Sequence, residues 1–289
     1  MRNNEKRLGQ GLPGPQPNDG PAAHQQAAPL AFVVPTEFVE LPSRGIFYPS
    51  GHPLHGEETI EIKFMTAKEE DILTSATLIK KGIVLERLID NLILDVRIKA
   101  TDLFVGDRNA IMVAARKSAY GRSYETKISC PSCGKESEEE YDLNDVEYTG
   151  QCFDEDFLNN KKITIDNQAG IFQVDLPKSN VTVGLRLLTG RDELNLAQAK
   201  KQKTEETIVT DTLMSVIATV AGSSDKFAIK NFVYTMPAMD SKFIRNIYAE
   251  LVPNIEFKRA FACLECYLVT DLEVPFTAAF FWPEFYRSI

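Results

Sequence analysis

Four of the five cysteines fall in two Cys-x-x-Cys pairs, Cys130-Pro131-Ser132-Cys133 and Cys263-Leu264-Glu265-Cys266. Thiolates at i and i+3 point to one side of a tight turn, and two such pairs supply the four soft ligands that tetrahedral Zn²⁺ prefers. Gly134 follows the first pair, where a knuckle has to release the backbone. Residues 134 to 262, 129 in all, separate the pairs, whereas an ordinary double knuckle has a gap of about 15–20. Spacing alone therefore leaves two other readings open: unlinked remnants of two knuckles, or a redox dithiol. The redox reading is the weaker, because such pairs sit at a helix start near a βαβ pattern. Four thiolates would also close the coordination sphere, so a zinc here holds structure and offers no position to a substrate. Cys152 stands alone in a polar, acidic stretch and reads as a bystander.

The elements that must position the pairs repeat. Val39-Glu40-Leu41-Pro42-Ser43 recurs as Val174-Asp175-Leu176-Pro177-Lys178, and Ile60 to Thr66 recurs as Val183 to Thr189. In both, an alternating strand runs into a Thr with an acid three residues later, Thr66 with Glu69 and Thr189 with Asp192, which is a capping-box pattern. Asp107 precedes Cys130 by 23 residues, and Asp240 precedes Cys263 by the same 23. Each Asp is expected to open a helix, followed by a short strand leading into the cysteines, with Tyr124 and Ile128 apolar in one and Phe257 and Phe261 in the other. The acidic run Glu138 to Leu143 and its counterpart Asp271 to Phe276 then form return strands, placing each cysteine pair at a hairpin tip.

The expected fold is α+β: an internally duplicated strand-helix-zinc-hairpin unit whose two copies pack pseudo-symmetrically, so that the tips meet on the axis and share one metal. Residues 1–30 are a disordered tail, 31–143 the first repeat, 144–170 an acidic connector and 171–289 the second repeat. Copy two carries ten extra residues, placed around Leu196 to Glu206 because the offset grows from 123 at Thr66/Thr189 to 133 at the Asp pair. Apolar stripes, Leu78 to Leu92 in one copy and Val209 to Val220 in the other with Gly222 as the stop, predict central core helices.

Composition narrows the function. The chain of 289 residues is 44% hydrophobic, and its net charge of −9, from 41 acids against 32 bases, lacks the basic excess that a phosphate backbone demands. No run reaches the roughly 18 apolar residues that cross a bilayer, and the N-terminus has no apolar signal core. The first thirty residues are rich in Pro, Gly, Asn and Gln and bury too little to offset their ordering. Three histidines, His24, His52 and His55, stand without an acid or nucleophile at motif spacing, and no phosphate-cradling Gly loop, nucleophile elbow or His-Glu-x-x-His run is present. No enzyme is expected, and no catalytic residue is assigned.

Leu41-Pro42-Ser43-Arg44-Gly45-Ile46-Phe47-Tyr48-Pro49-Ser50-Gly51-His52-Pro53-Leu54, the stretch Ile62 to Leu73, the knuckle at Cys130 and the terminal Phe280-Phe281-Trp282-Pro283 resemble the baseplate hub proteins of T-even-type contractile-tail bacteriophages. The resemblance spans roughly residues 36 to 286. It implies a virion or assembly component in the tail baseplate, made in the host cytoplasm and acting through contacts with other baseplate and tail subunits. Cys130, Cys133, Cys263 and Cys266 would lock the copies around one structural Zn²⁺. The tail, the Arg44 to His55 loop and the aromatic end Phe276 to Phe285 are the expected partner surfaces, although that end could equally close the core. The alternatives are a zinc-ribbon nucleic-acid regulator with Lys127, Lys135, Lys258 and Arg259 as its basic face, and a metallohydrolase using His52 or His55.

Overall fold

A computed structural model describes residues 33–202, 207–256, 258–273 and 278–281. Residues 1–30, Phe257 and Trp282 onward, on which several of the expectations rest, lie outside them. The chain is mixed α+β, with small antiparallel sheets packed among helices.

β1 (Thr36–Glu40) and β2 (Thr59–Lys63) form a ribbon in which Val39 faces Ile60, and their alternation buries Val39, Ile60 and Ile62. β2 runs into α1 (Ala67–Thr74), whose start is the expected capping box: the Glu69 carboxylate accepts from the Thr66 amide at 3.0 Å and from its hydroxyl at 2.6 Å. Lys63, at the end of β2, adds an ion pair to Glu69 at 2.7 Å. The single helix expected over Leu78 to Leu92 is instead two, α2 (Ala76–Lys81) and α3 (Val84–Leu92). Gly82, at φ 71°, takes the left-handed position that ends α2, and Ile79 is left 41% exposed. Leu88, Ile89 and Leu92 of α3 are fully buried, each worth roughly 1.5–3 kcal/mol.

α4 (Val105–Tyr120) is buried on most sides and is the central helix. Asp107 sits in its first turn, three residues past Phe104, which holds the cap position that Asp107 was expected to take. Fully buried, it accepts from the Ser43 amide at 3.0 Å, the Ser43 hydroxyl at 2.6 Å and the Tyr48 hydroxyl at 2.8 Å. Burial raises its carboxyl pKa and the three donors oppose that rise. Asp107 thereby pins the loop between β1 and β2 to α4. β3 (Ser123–Ser129) and β4 (Glu136–Asp142) form the first hairpin.

The stretch expected as a connector carries β5 (Glu147–Thr149), α5 (Glu155–Lys161) and β6 (Thr164–Asp166), and Cys152 within it is buried in the main core. β7 (Ile171–Asp175) and β8 (Thr182–Arg186) then repeat the β1–β2 ribbon, and α6 (Gly190–Gln202) repeats the capped start. Asp192 accepts from the Thr189 amide at 2.9 Å and hydroxyl at 2.8 Å, and Arg186 pairs with it at 2.8 Å. α7 (Ile208–Val216) ends before the expected helix does. Ile217–Val220 leave it as β9 and pair with β8, completing the sheet β6-β7-β8-β9, because Ile217, Thr219 and Val220 are β-branched and lie beside an open edge.

α8 (Lys226–Thr235) precedes α9 (Ala238–Leu251), and β10 (Asn254–Glu256) pairs with β5. Asp240, in the first turn of α9, is buried and accepts from the Lys178 and Ser179 amides at 2.8 and 2.9 Å, a second clamp on a second loop. β11 (Lys258–Ala262) and β12 (Val269–Glu273) form the second hairpin.

Element by element, α3 and α7 are both nine residues long and still 124 positions apart, whereas α4 and α9 start 133 apart. The offset therefore widens between α7 and α9, where β9 and α8 stand, and not around Leu196 to Glu206. The backbone bonds that join the start of α4 to the start of α6 have no two-fold counterpart among the described residues. Val105 N–H donates to Leu188 O and Gly190 N–H donates to Leu103 O, with no equivalent among the described bonds linking Met236–Ala238 to Met65–Ala67. Arg108, buried in α4, bridges Glu86 of α3 at 2.9 Å and Glu193 of α6. Phe280 and Phe281, expected either as a partner surface or as closing the core, are fully buried: Phe280 packs on Tyr124 with ring centroids 4.9 Å apart, and its carbonyl accepts from Arg116 at 3.2 Å. Two adjacent aromatic rings gain more by covering the end of α4 than by waiting in water.

Candidate metal centre

The two hairpins share one register. Ser129 faces Glu136 across the first tip and Ala262 faces Val269 across the second, each position shifted by 133. The turns match as well. In the first, Cys130 N–H donates to Lys135 O at 2.8 Å and Gly134 N–H to Cys130 O at 2.9 Å; in the second, Cys263 N–H donates to Leu268 O at 2.9 Å and Tyr267 N–H to Cys263 O at 3.0 Å. Gly134 has φ 72° and Tyr267 φ 59°. The second turn thus keeps the left-handed geometry without glycine, at a steric cost of roughly 1–2 kcal/mol.

The four sulfurs lie within 4.8 Å of one another. Cys130 Sγ is 3.6 Å from Cys266 Sγ, and Cys133 Sγ is 3.6 Å from Cys263 Sγ. Each inner cysteine of one turn therefore meets the outer cysteine of the other, so the contact is reciprocal, as in a two-fold interface. None of the four is in a disulfide. Four ligands at the usual Zn–S length of about 2.3 Å in a tetrahedron would stand roughly 3.8 Å apart, so this donor set fits zinc. Beneath the sulfurs, Cys130, Cys263 and Phe261 form a small core of their own, with Ile128, Leu268 and Leu272 against it. Ile128 and Phe261, the residues whose alternation led into the cysteines, hold the turns at fixed height.

The electrostatics suit a cation. Backbone N–H groups of Cys133 and Ser132 bring the Cys130 thiol down to about 6, and those of Cys266 and Glu265 lower Cys263. Cys133 receives the Lys135 N–H, yet desolvation and the neighbouring sulfurs push it up to about 12. Cys130 and Cys263 are lowered while Cys133 is raised, so negative charge is favoured on one sulfur of each turn, where a cation placed among the four would neutralise it.

The histidines are elsewhere employed. His52 stacks on Tyr48 with ring centroids 4.5 Å apart and its Nδ1 accepts from the Leu54 N–H at 3.1 Å, while His55 Nδ1 bonds Tyr48 O at 2.6 Å. Among the described residues the metal-competent group contains cysteines only. Lys127 pairs with Glu138 at 3.1 Å and Lys135 crosses to Glu265 at 3.4 Å, so these two members of the supposed basic face are already matched with acids. The side chains of Lys258 and Arg259 lie outside the described residues. Sequence reasoning had not foreseen the Lys135–Glu265 bridge between the turns or Tyr267 in a left-handed position; the alignment of Tyr267 with Gly134 was the available signal for the latter. No helix among the described residues is long and apolar enough to cross a membrane.

No curated protein and no solved structure matches the chain. A family model described as T4 bacteriophage base plate protein matches residues 47–282, from the Asp107-pinned loop through both cysteine pairs to the buried aromatic end. The chain belongs to the T4 bacteriophage base plate protein family.

Proposed function

We propose that the protein is a non-catalytic subunit of the hub of a contractile phage tail's base plate, in which one Zn²⁺ held by Cys130, Cys133, Cys263 and Cys266 fastens the two halves of the chain. The halves, 31–143 and 171–289, are the products of one duplication, joined by residues 144–170. The observation that carries this reading is the reciprocal pairing of the sulfurs at 3.6 Å, on two turns with the same hydrogen bonds, inside a base plate family match. The repeated capping boxes at Thr66 and Thr189 and the repeated Asp107 and Asp240 clamps support the duplication. The bonds between the starts of α4 and α6, which lack a two-fold counterpart among the described residues, limit the two-fold relation to the tips. Four thiolates would leave the ion no open position, so its role is to hold the hairpins together.

Elemental analysis of the purified protein tests the metal: about one zinc per chain is expected, and Cys263→Ser should release it. Retention of full zinc by that variant would refute the shared site. Mass spectrometry of purified tails tests the location. Presence in mature tails supports a permanent subunit, and absence moves the role to assembly.

A further inference from the structure

A groove of about 310 Å³ runs along the side of β1 that faces away from β2. Glu37, Phe38 and Glu40 form one wall and Tyr148 of β5 stands in the other, over a floor that includes Val113 and Lys117 of α4. Leu41 N–H donates to Glu58 O and Phe64 N–H donates to Pro35 O, so odd-numbered residues from 35 to 41 turn their backbone groups to β2. Thr36, Phe38 and Glu40 turn theirs outward, where no strand pairs with β1 among the described residues. Such an edge is a template for another strand. Phe38 is 70% exposed beside it and Tyr148 is 58% exposed opposite, so the rim is aromatic as well as unpaired.

The charges say what kind of strand fits. Glu37 Oε1 is buried without a hydrogen-bond partner, and a stranded buried acceptor is costly until a donor reaches it. Among the described residues Glu37 and Glu40 line the groove against one cation, Lys117, and Asp145 and Glu147 flank Val146 in the sequence on the β5 side. A second copy presenting its own β1 would bring glutamate against glutamate, which disfavours self-pairing. We infer that the groove receives an extended segment of a neighbouring subunit with alternating apolar and basic side chains, which adds to β1 as a strand. Its backbone pairs with Thr36, Phe38 and Glu40, its apolar side chains cover Phe38 and Tyr148, and a Lys or Arg donates to Glu37. The inference rests on reading the chain as one subunit among others. Because its test uses the isolated, metal-loaded protein and model peptides, a failure there leaves the base plate reading standing.

The probes are an eight-residue peptide alternating lysine and valine and its counterpart alternating glutamate and valine. Binding is followed by fluorescence anisotropy, and amide hydrogen exchange is read at Phe38 and Glu40. The lysine peptide should bind, slow exchange at both amides at least tenfold, and lose affinity about tenfold with Glu37→Gln; the glutamate peptide should not bind. Phe38→Pro removes an outward N–H that β2 does not use, and should abolish binding with the ribbon intact. Glu37→Gln keeps the test decisive should that variant fold poorly. No binding of the lysine peptide, equal binding of both peptides, or amides already slow in the free protein would each overturn the inference.

Discussion

Asp107 offers the sharpest test of how the fold holds its loops. In Asp107→Ala the Ser43 N–H loses its acceptor outright, the Tyr48 hydroxyl proton loses its acceptor while the hydroxyl oxygen still accepts from the Phe104 N–H at 3.1 Å, and the Ser43 hydroxyl must rotate. All of these groups are buried, so each stranded donor costs about 1–3 kcal/mol, and relief from burying a carboxylate returns part of the sum. The net loss should be roughly 3–4 kcal/mol, a large share of a stability that is commonly about 5–15 kcal/mol. Asp240→Ala is the internal control. It strands two amides, those of Lys178 and Ser179, in a half-buried loop that water can reach, and should cost about 1–2 kcal/mol. Urea unfolding of both variants in saturating zinc, followed by circular dichroism, measures the difference. Equal losses, or a loss under about 1 kcal/mol for Asp107→Ala, would refute the claim that buried, water-free donors set the cost.

Tyr267→Gly should relieve the left-handed strain and tighten zinc binding a few-fold in a chelator competition, a gain of roughly 0.5–1 kcal/mol, while Gly134→Ala should weaken it by a similar factor. Gly106→Ala should lower stability by roughly 2 kcal/mol or more on thermal unfolding, because its new Cβ would collide with the Pro253 carbonyl oxygen where α4 meets β10. Burial alone would raise the Glu69 and Asp192 carboxyls, but the bonds from Lys63 and Thr66, and from Arg186 and Thr189, outweigh it and hold both below the usual carboxylate range. A depressed folded pKa gives stability that is present above the unfolded value and is lost as pH falls through the folded one. Acid titration of stability should therefore be shallower in Glu69→Gln than in the unchanged protein; an unchanged slope would contradict the ion-paired cap.

The features that the sequence disclosed are those governed by local chemistry or by strict spacing. The Thr66 and Thr189 boxes follow from residues three apart, and the identical hairpin registers follow from the constant 133-residue offset. Less legible were the outcomes decided by competition. Gly82 broke a continuous apolar stripe because one left-handed residue stops a helix whatever follows. Ile217–Val220 left a helical pattern because β8 offered a free edge, a fact of tertiary structure that periodicity does not contain. The widening of the offset was placed too early because two offsets bracket it without locating it; α7 narrows it to the stretch holding β9 and α8. Phe280 and Phe281 read equally as surface or as core, and only the position of Tyr124 and Arg116 decides between them.

The sulfur clasp also has a timetable. Its two ends lie more than a hundred residues apart, so a ribosome must release Cys266 before the second pair of thiols can reach the first. Until then the hairpin carrying Cys130 and Cys133 stands as an open half-buckle. An ion held by all four thiolates would favour the folded state by mass action, because the unfolded chain does not present the four sulfurs together. A metal held there would act as a completion seal: only chains synthesised through the second hairpin could hold it with four sulfurs, and a chain cut short before it would be left with unpaired, oxidisable sulfur.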